Sequence, residues 1–299
     1  MTVKNNCPAD TGPIYARGEN TDETVLPNSN QQIATGQEWS TTLPVNWTSG
    51  RVWLCPFDTS GLHPWTKDGN EFSYGCSYFE ATSGLDGDGT PYVNMDVSYI
   101  QGIWLPIQIR NSGGTCAGAG CKASCQSKPT LAKIESDCPT GFWGKYNSKF
   151  CLGMSAFCDP GLGPTFFKTS QYCKQQYYAE QLDVCHNQYT QCKGQNPTPF
   201  QIYGCGNGSQ WLTGGFGQKV CAALNRGVVG NQANWSEPAT FYPDGVASNT
   251  YAKWIHKDLG CLAYAFSYDD TSVEQSGDRA YYDNGSRPLE IEVELCPWN

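Results

Sequence analysis

The sequence predicts a mainly β fold: an antiparallel β-sandwich beside a disulfide-rich, partly helical second domain. The sandwich follows from short alternating segments near both chain ends, separated by turn residues with no helical period between them. The second domain follows from a change of texture after Cys116, where alternation stops and cysteines crowd together; ten of the sixteen lie from Cys121 to Cys221. At 299 residues the chain can bury a sizeable core as one large domain or two smaller ones. The expected boundaries are 1–120 with 255–299 for the sandwich and 121–254 for the insert.

In the first third, GRVWLC (Gly50 to Cys55), SYFEAT (Ser77 to Thr82) and YVNMDVSYI (Tyr92 to Ile100) read as strands bounded by Gly, Pro, Asn and Asp turns. LDGDGTPYV imitates a calcium loop, but the sixth position from Asp86 is Pro91 instead of glycine and the twelfth is Val97 instead of glutamate, so it reads as a turn. In the insert, Tyr178, Leu182, Cys185, Tyr189 and Cys192 recur at steps of four and three. This spacing predicts one helix over about 170–193, stopped by Gly194, with disulfides pinning it to its neighbours. Near the C-terminus, LEIEVELCP places Leu289, Ile291, Val293 and Leu295 on one face and Glu290, Glu292 and Glu294 on the other, a strand with one wet side.

Composition narrows the function classes. An even number of cysteines with no CxxC pair indicates a disulfide framework and an oxidising compartment. Sequons at Asn46, Asn207, Asn234 and Asn284 fit N-glycosylation of a secreted, extracellular protein. No apolar stretch approaches a membrane span, and MTVKNNC lacks the apolar core of a leader, so Met1 reads as the start of a mature chain. With 19 Lys and Arg against 28 Asp and Glu and no basic block, the chain repels a phosphate backbone, which excludes nucleic acid as a partner. Sparse charge with plentiful Tyr, Trp, Asn and Gln suits stacking on neutral sugars, and suits an ordinary secreted β protein equally well. His63, His186 and His256 are scattered, and there is no GxSxG or HExxH, so neither a serine-hydrolase elbow nor a zinc site is supported. An oxidative copper site needing an N-terminal His is unsupported too, so no metal or cofactor is expected, and a monomer is.

Eight stretches occur in the order found in thaumatin-like proteins, which include the osmotins: VKNNCP, ATGQEW, SGRVWLC, MDVSYIQGIWLPIQI, GTCAGAGC, GPTFFK, CLAYAFSYDDT and the terminal VELCP. The chain resembles that family, although its cysteine-rich middle is longer than usual. The resemblance implies a sandwich, a disulfide-rich domain beside it, and between them a cleft that in plant members holds an arginine, a glutamate and three aspartates. Arg51 falls on the arginine, Asp96 on the first aspartate, Asp270 on the last, and Glu80 on the glutamate. The remaining aspartate position is Gln101, which leaves the cleft less acidic. Asp269 reads as a solvated neighbour or an aid to the turn. The same resemblance pairs Cys121 with Cys261, Cys7 with Cys296, and Cys55 with Cys76, which closes a loop carrying His63 and Trp65. The usual partner of Cys116 is missing; Cys125 is a candidate, and spacing alone does not decide connectivity.

Paired carboxylates suit glycoside hydrolysis, in which one protonated acid meets the leaving oxygen and an ionised carboxylate activates water or attacks the sugar carbon. A lone acid is more often a solvated strand end. On the family's pattern Glu80 is the general acid, Asp96 or Asp270 the base or nucleophile, and Arg51 electrostatic support, with Gln101 and Trp65 as substrate contacts. Because these acids come from separate segments, the longer, inverting separation of about 6.5–9.5 Å is favoured over the retaining one of about 5–5.5 Å. The expected function is hydrolysis of β-1,3-glucan. The alternatives are a carbohydrate-binding antifungal protein without turnover, or a protein–protein effector or inhibitor.

Overall fold

The computed structural model describes residues 1–60, 75–85, 87–112, 115–116, 125–141, 147–161, 170–205, 214–269, 278–281 and 290–298. Alternation in the strand segments sorts their side chains between two facing sheets. The strands are β1 (Thr2–Asn5), β2 (Ile14–Glu19), β3 (Gln31–Ile33), β4 (Glu38–Ser40), β5 (Gly50–Cys55), β6 (Ser77–Leu85), β7 (Pro91–Ser98), β8 (Gly102–Ile103), β9 (Ile107–Ser112), β10 (Thr115–Cys116), β11 (Cys151–Leu152), β12 (Asp278–Tyr281) and β13 (Glu290–Leu295). One sheet runs β4-β1-β13-β9, the other β10-β12-β7-β6-β5-β2-β3, and β8 with β11 forms a separate pair.

From the larger sheet, Ile14, Ala16, Val52, Leu54, Phe79, Ala81, Val93, Met95 and Val97 point inward and are buried. They join Val3, Ile107, Ile109, Ile291, Val293 and Leu295 of the smaller sheet in one apolar core. The three glutamates of β13 face outward as expected, where Lys4 bonds Glu292 at 2.9 Å and Arg110 lies 3.4 Å from Glu294. Among the described residues the ladders are antiparallel except β1 with β13, which pair in parallel from Thr2↔Glu292 to Asn5↔Leu295. β13 therefore sits between β1 and β9, and the Cys7–Cys296 bond locks the two chain ends together.

Helices occupy the middle of the chain: α1 (Leu131–Asp137), α2 (Met154–Phe157), α3 (Ala179–Gln188), α4 (Pro199–Gly204), α5 (Gly214–Arg226) and α6 (Thr250–Lys253), the last continued by a π-helical turn at Trp254–Asp258. Among the described residues no helix is long and apolar enough to cross a membrane. The helical region joins the larger sheet at the end of β7: Tyr264 exchanges backbone hydrogen bonds with Val97 and Tyr99, and Tyr251 donates its hydroxyl to Tyr99 O at 2.9 Å.

Two expectations are corrected. The single helix over about 170–193 is instead two 3-10 turns, Gln171–Cys173 and Gln175–Tyr178, followed by α3, which ends at Gln188. Residues seven apart on a continuous helix rise about 10.5 Å, too far for a disulfide. Cys185 and Cys192 are bonded to each other with Cα atoms 5.7 Å apart, so the chain must leave the helix between them, and the bond is local instead of reaching a neighbour. Cys261 bonds Cys125, not Cys121, because Cys125 lies opposite it in an isolated bridge that Gln126 N extends to Gly260 O at 2.9 Å. The same bond removes Cys125 as a partner for Cys116. The Cys7–Cys296 and Cys55–Cys76 pairs are as expected, and Cys138–Cys151, Cys158–Cys173 and Cys205–Cys221 staple the middle.

Replacing Cys7 and Cys296 together by alanine should lower unfolding free energy by about 2–5 kcal/mol, because a cross-link over so long a loop restricts the unfolded chain. Denaturant unfolding of the double variant checks this; an unchanged midpoint would mean that the strand pairing alone holds the ends.

Candidate functional site

The face of the larger sheet that turns away from the core is the unusual one. Register places Glu19, Arg51, Glu80 and Asp96 side by side across β2, β5, β6 and β7. The next row along the same face is Arg17, Trp53, Tyr78 and Ser98. Side chains directly opposite on antiparallel strands have Cβ atoms about 4.5–5.5 Å apart. Three of the residues picked out from the sequence, Arg51, Glu80 and Asp96, are thus immediate neighbours on one rigid surface.

Arg51 Nε donates to Glu80 Oε1 at 2.7 Å, with the side chains 25% and 30% exposed. Solvent screens such a pair, so it contributes roughly 0–1 kcal/mol to stability and serves mainly to orient the carboxylate. The Arg51 guanidinium also lies 5.2 Å from the centre of the Tyr78 ring. Burial opposes its charge, but Tyr78, Glu80 and Asp96 outweigh that and raise its pKa.

Tyr78 is the residue that the sequence did not flag. It is fully buried, packed with Trp53, Cys55 and Cys76 in a small apolar cluster on this outer face, with Phe57 alongside. Its hydroxyl donates to Gln101 Oε1 and accepts from Ser98 Oγ at 3.1 Å. Burial pushes the phenol far above its ordinary pKa, so it remains a neutral donor. Gln101 is held from behind as well: Gly153 N donates to its carbonyl at 2.8 Å, and a Cβ on Gly153 would overlap Ile100 O. The only earlier hint of Tyr78 was its spacing, two residues before Glu80 and hence on the same face.

Arg17 and Glu19 were also missed. Both are buried; Arg17 Nε donates to Glu19 Oε2 at 2.8 Å and Nη1 to Asn30 Oδ1 at 3.1 Å, with Thr59 Oγ1 donating to the same oxygen at 3.0 Å. A buried ion pair tolerates desolvation only when its remaining groups are also bonded, which Asn30 and Thr59 help to provide.

Asp269, read from the sequence as a solvated neighbour or an aid to the turn, is wholly buried. Its Oδ2 accepts from His256 Nε2 at 2.7 Å and from Ala265 N at 2.9 Å, and Arg226 Nη2 lies 3.6 Å from Oδ1. Asp270, Trp65, Cys121, Asn207 and Asn284 lie outside the described residues. Asn46 is exposed and Asn234 half-buried. An apolar cavity of about 350 Å³ between the sheets, lined by Met1, Leu43, Val45, Tyr92 and Ile291 among others, includes none of the site carboxylates.

Comparison with known proteins gives two kinds of match. A family model described as β-1,3-glucanase, of glycoside hydrolase family 64, matches residues 164–294. The pathogenesis-related thaumatin-like protein 3.2 of Cryptomeria japonica is 30% identical over 60% of this chain and 81% of its own length. Protein 3.7 of the same species is 28% identical over 51% and 70% respectively. Among solved structures, a family 64 β-1,3-glucanase domain from Clostridium beijerinckii superposes with a TM-score of 0.63 at 16% identity, covering 99% of this chain and 97% of that one. A laminaripentaose-producing β-1,3-glucanase from Paenibacillus barengoltzii, in complex with laminarihexaose, gives 0.57 at 17% identity, covering 98% and 74%. At these identities the structural matches establish a shared fold.

Tyr78→Phe should keep the ring under Arg51 and lose both hydroxyl bonds, destabilising the protein by about 1–2 kcal/mol. Equilibrium urea unfolding reads the difference, and a variant as stable as the parent would mean that Gln101 and Ser98 find other partners.

Proposed function

The chain belongs to the thaumatin-like protein family, and on that premise we propose that it hydrolyses β-1,3-glucan in an extracellular, oxidising setting. The observation that carries this reading is the in-register row of Arg51, Glu80 and Asp96 on the solvent side of the larger sheet. The family model over 164–294 and the shared fold with family 64 β-1,3-glucanases support it. Substrate lies in the groove between this sheet face and the helical region, which act as two domains divided near 120 and 255. On the family's pattern Asp270 is a further acid of the site and Trp65 a sugar contact, and Gln101 hydrogen-bonds a sugar hydroxyl. No cofactor takes part, the protein acts as a monomer, and the Asn46 and Asn234 sequons carry glycans.

Glu80 is the general acid. Arg51 holds its Oε1, which leaves Oε2 to protonate the leaving oxygen. Asp96 is the base. Because Arg51 and Asp96 stand on opposite sides of Glu80, the favoured course is the inverting one, with a water between the two carboxyls. Laminarin should be cut to oligosaccharides, with Glu80→Gln slower by about 100-fold or more. If Glu80→Gln matches the wild type on every β-1,3-glucan, the hydrolase reading is lost. Proton NMR of the first products should show the α-anomer; an initial β-anomer would assign retention instead.

One observation favours a second reading, binding without turnover: the amide of Gln101 stands where plant relatives carry an aspartate, and Tyr78 fixes it. Retention on insoluble glucan by both wild type and Glu80→Gln, with no product released, would put this reading first.

A further inference from the structure

A second polar cluster among the described residues is buried where the helical region meets the sheet, and neither acid catalysis nor sugar contact uses it. Asp269 is its centre. The carboxylate can only accept, so His256 Nε2 carries a hydrogen toward Oδ2, while His256 Nδ1 lies 3.2 Å from Cys261 O. Arg226, 1% exposed at its side chain, reaches the carboxylate and also donates from Nη2 to the backbone carbonyl of Asp269. That carbonyl belongs to the peptide bond joining Asp269 to Asp270. The guanidinium stands 4.6 Å from the Phe241 ring centre and 5.8 Å from that of Phe266. The His256 ring is stacked 6.2 Å from that of Tyr242. Three separate elements therefore grip one residue: the end of α5, the π-helical turn after α6, and the segment from Cys261 onward.

What they grip is a short, strained turn. Tyr268 has φ 63°, a left-handed conformation that a bulky side chain adopts only when its surroundings impose it. Ala265 N, four residues before Asp269, closes the turn on Oδ2. One residue earlier, Tyr264 bonds to β7 on either side of Ser98, two positions beyond Asp96. The turn is thus tied at its start to the strand that carries Asp96 and at its end to Arg226 and His256.

We propose that Asp269, clamped by His256 and Arg226, is a positioning residue of the glucan-cleaving site. It holds the 264–269 turn in register with β7 and so steadies the strand segment that carries Asp96 opposite Glu80. Asp269 does not touch substrate. This rests on the hydrolase reading above.

His256→Leu removes the hydrogen bond to Oδ2 and keeps an apolar side chain of moderate size; His256→Gln restores an N–H donor. On laminarin, His256→Leu should lower kcat by about 10- to 100-fold, since small misplacements of catalytic groups cost that much, with KM changed little; His256→Gln should recover most of the loss. Exchange of the Ala265 amide, followed by NMR in the same variants, should speed up in His256→Leu and return toward wild type in His256→Gln. Asp269→Asn is the second test and should behave as His256→Leu does. The proposal is overturned if kcat per folded molecule is unchanged in both His256→Leu and Asp269→Asn, if KM rises instead of kcat falling, or if Ala265 exchange does not respond. Wild type without turnover on any β-1,3-glucan sinks the hydrolase reading, and the catalytic part of this proposal with it. Wild-type turnover with unaffected variants sinks this proposal alone.

Discussion

The register of β2, β5, β6 and β7 is the constraint on which the rest depends. Side chains alternate with a period of two, so a slip of one residue would turn Val52, Phe79 and Met95 outward and drive Arg51, Glu80 and Asp96 into the core. Either outcome is far more costly than any single contact at the site. The apolar interior therefore enforces the lateral order of the charged row. The Cys55–Cys76 bond, packed with Trp53 and Tyr78 on the outer face, fastens the same pair of strands from the other side.

Given that register, the charged residues need little stabilisation of their own. Glu19 forms the dry end of the row, bonded to Arg17 of the next row, which in turn donates to an Asn30 held by Thr59. Side-chain exposure rises from Glu19, wholly buried, to Arg51 and Glu80, and Glu80 faces Asp96 directly, an acid opposite an acid, which disfavours folding wherever both are ionised. A surface that keeps such a pair gives up stability for chemistry, and Arg51 on the far side of Glu80 limits the penalty.

Much of this was legible in the sequence where the signal was local. Alternation in β13 gave its two faces directly, and family motifs brought Arg51, Glu80 and Asp96 to matching positions before any coordinates placed them in one row. Signals that depend on contacts across the chain were not legible. The periodicity from Tyr178 to Cys192 suits one long helix, and nothing local announces that Cys185 and Cys192 bond each other and break it. Cys125 displaced Cys121 as the partner of Cys261 because of a short backbone bridge that no spacing rule contains. That Asp269 aids a turn was open from the sequence, but its burial was not, because its partners Arg226 and His256 lie 43 and 13 residues earlier.

The parallel pairing of β1 with β13 has a consequence for biosynthesis. The strand at the heart of the smaller sheet is separated from its neighbour by nearly the whole sequence; the bond that seals them spans 289 residues. During translation β2, β3, β5, β6 and β7 emerge early and can pair, but the apolar side that they present has no β13 to close against until the ribosome has delivered the far end. Until then Val52, Phe79 and Val97 offer a sticky surface, and long-range closures of this kind are slow.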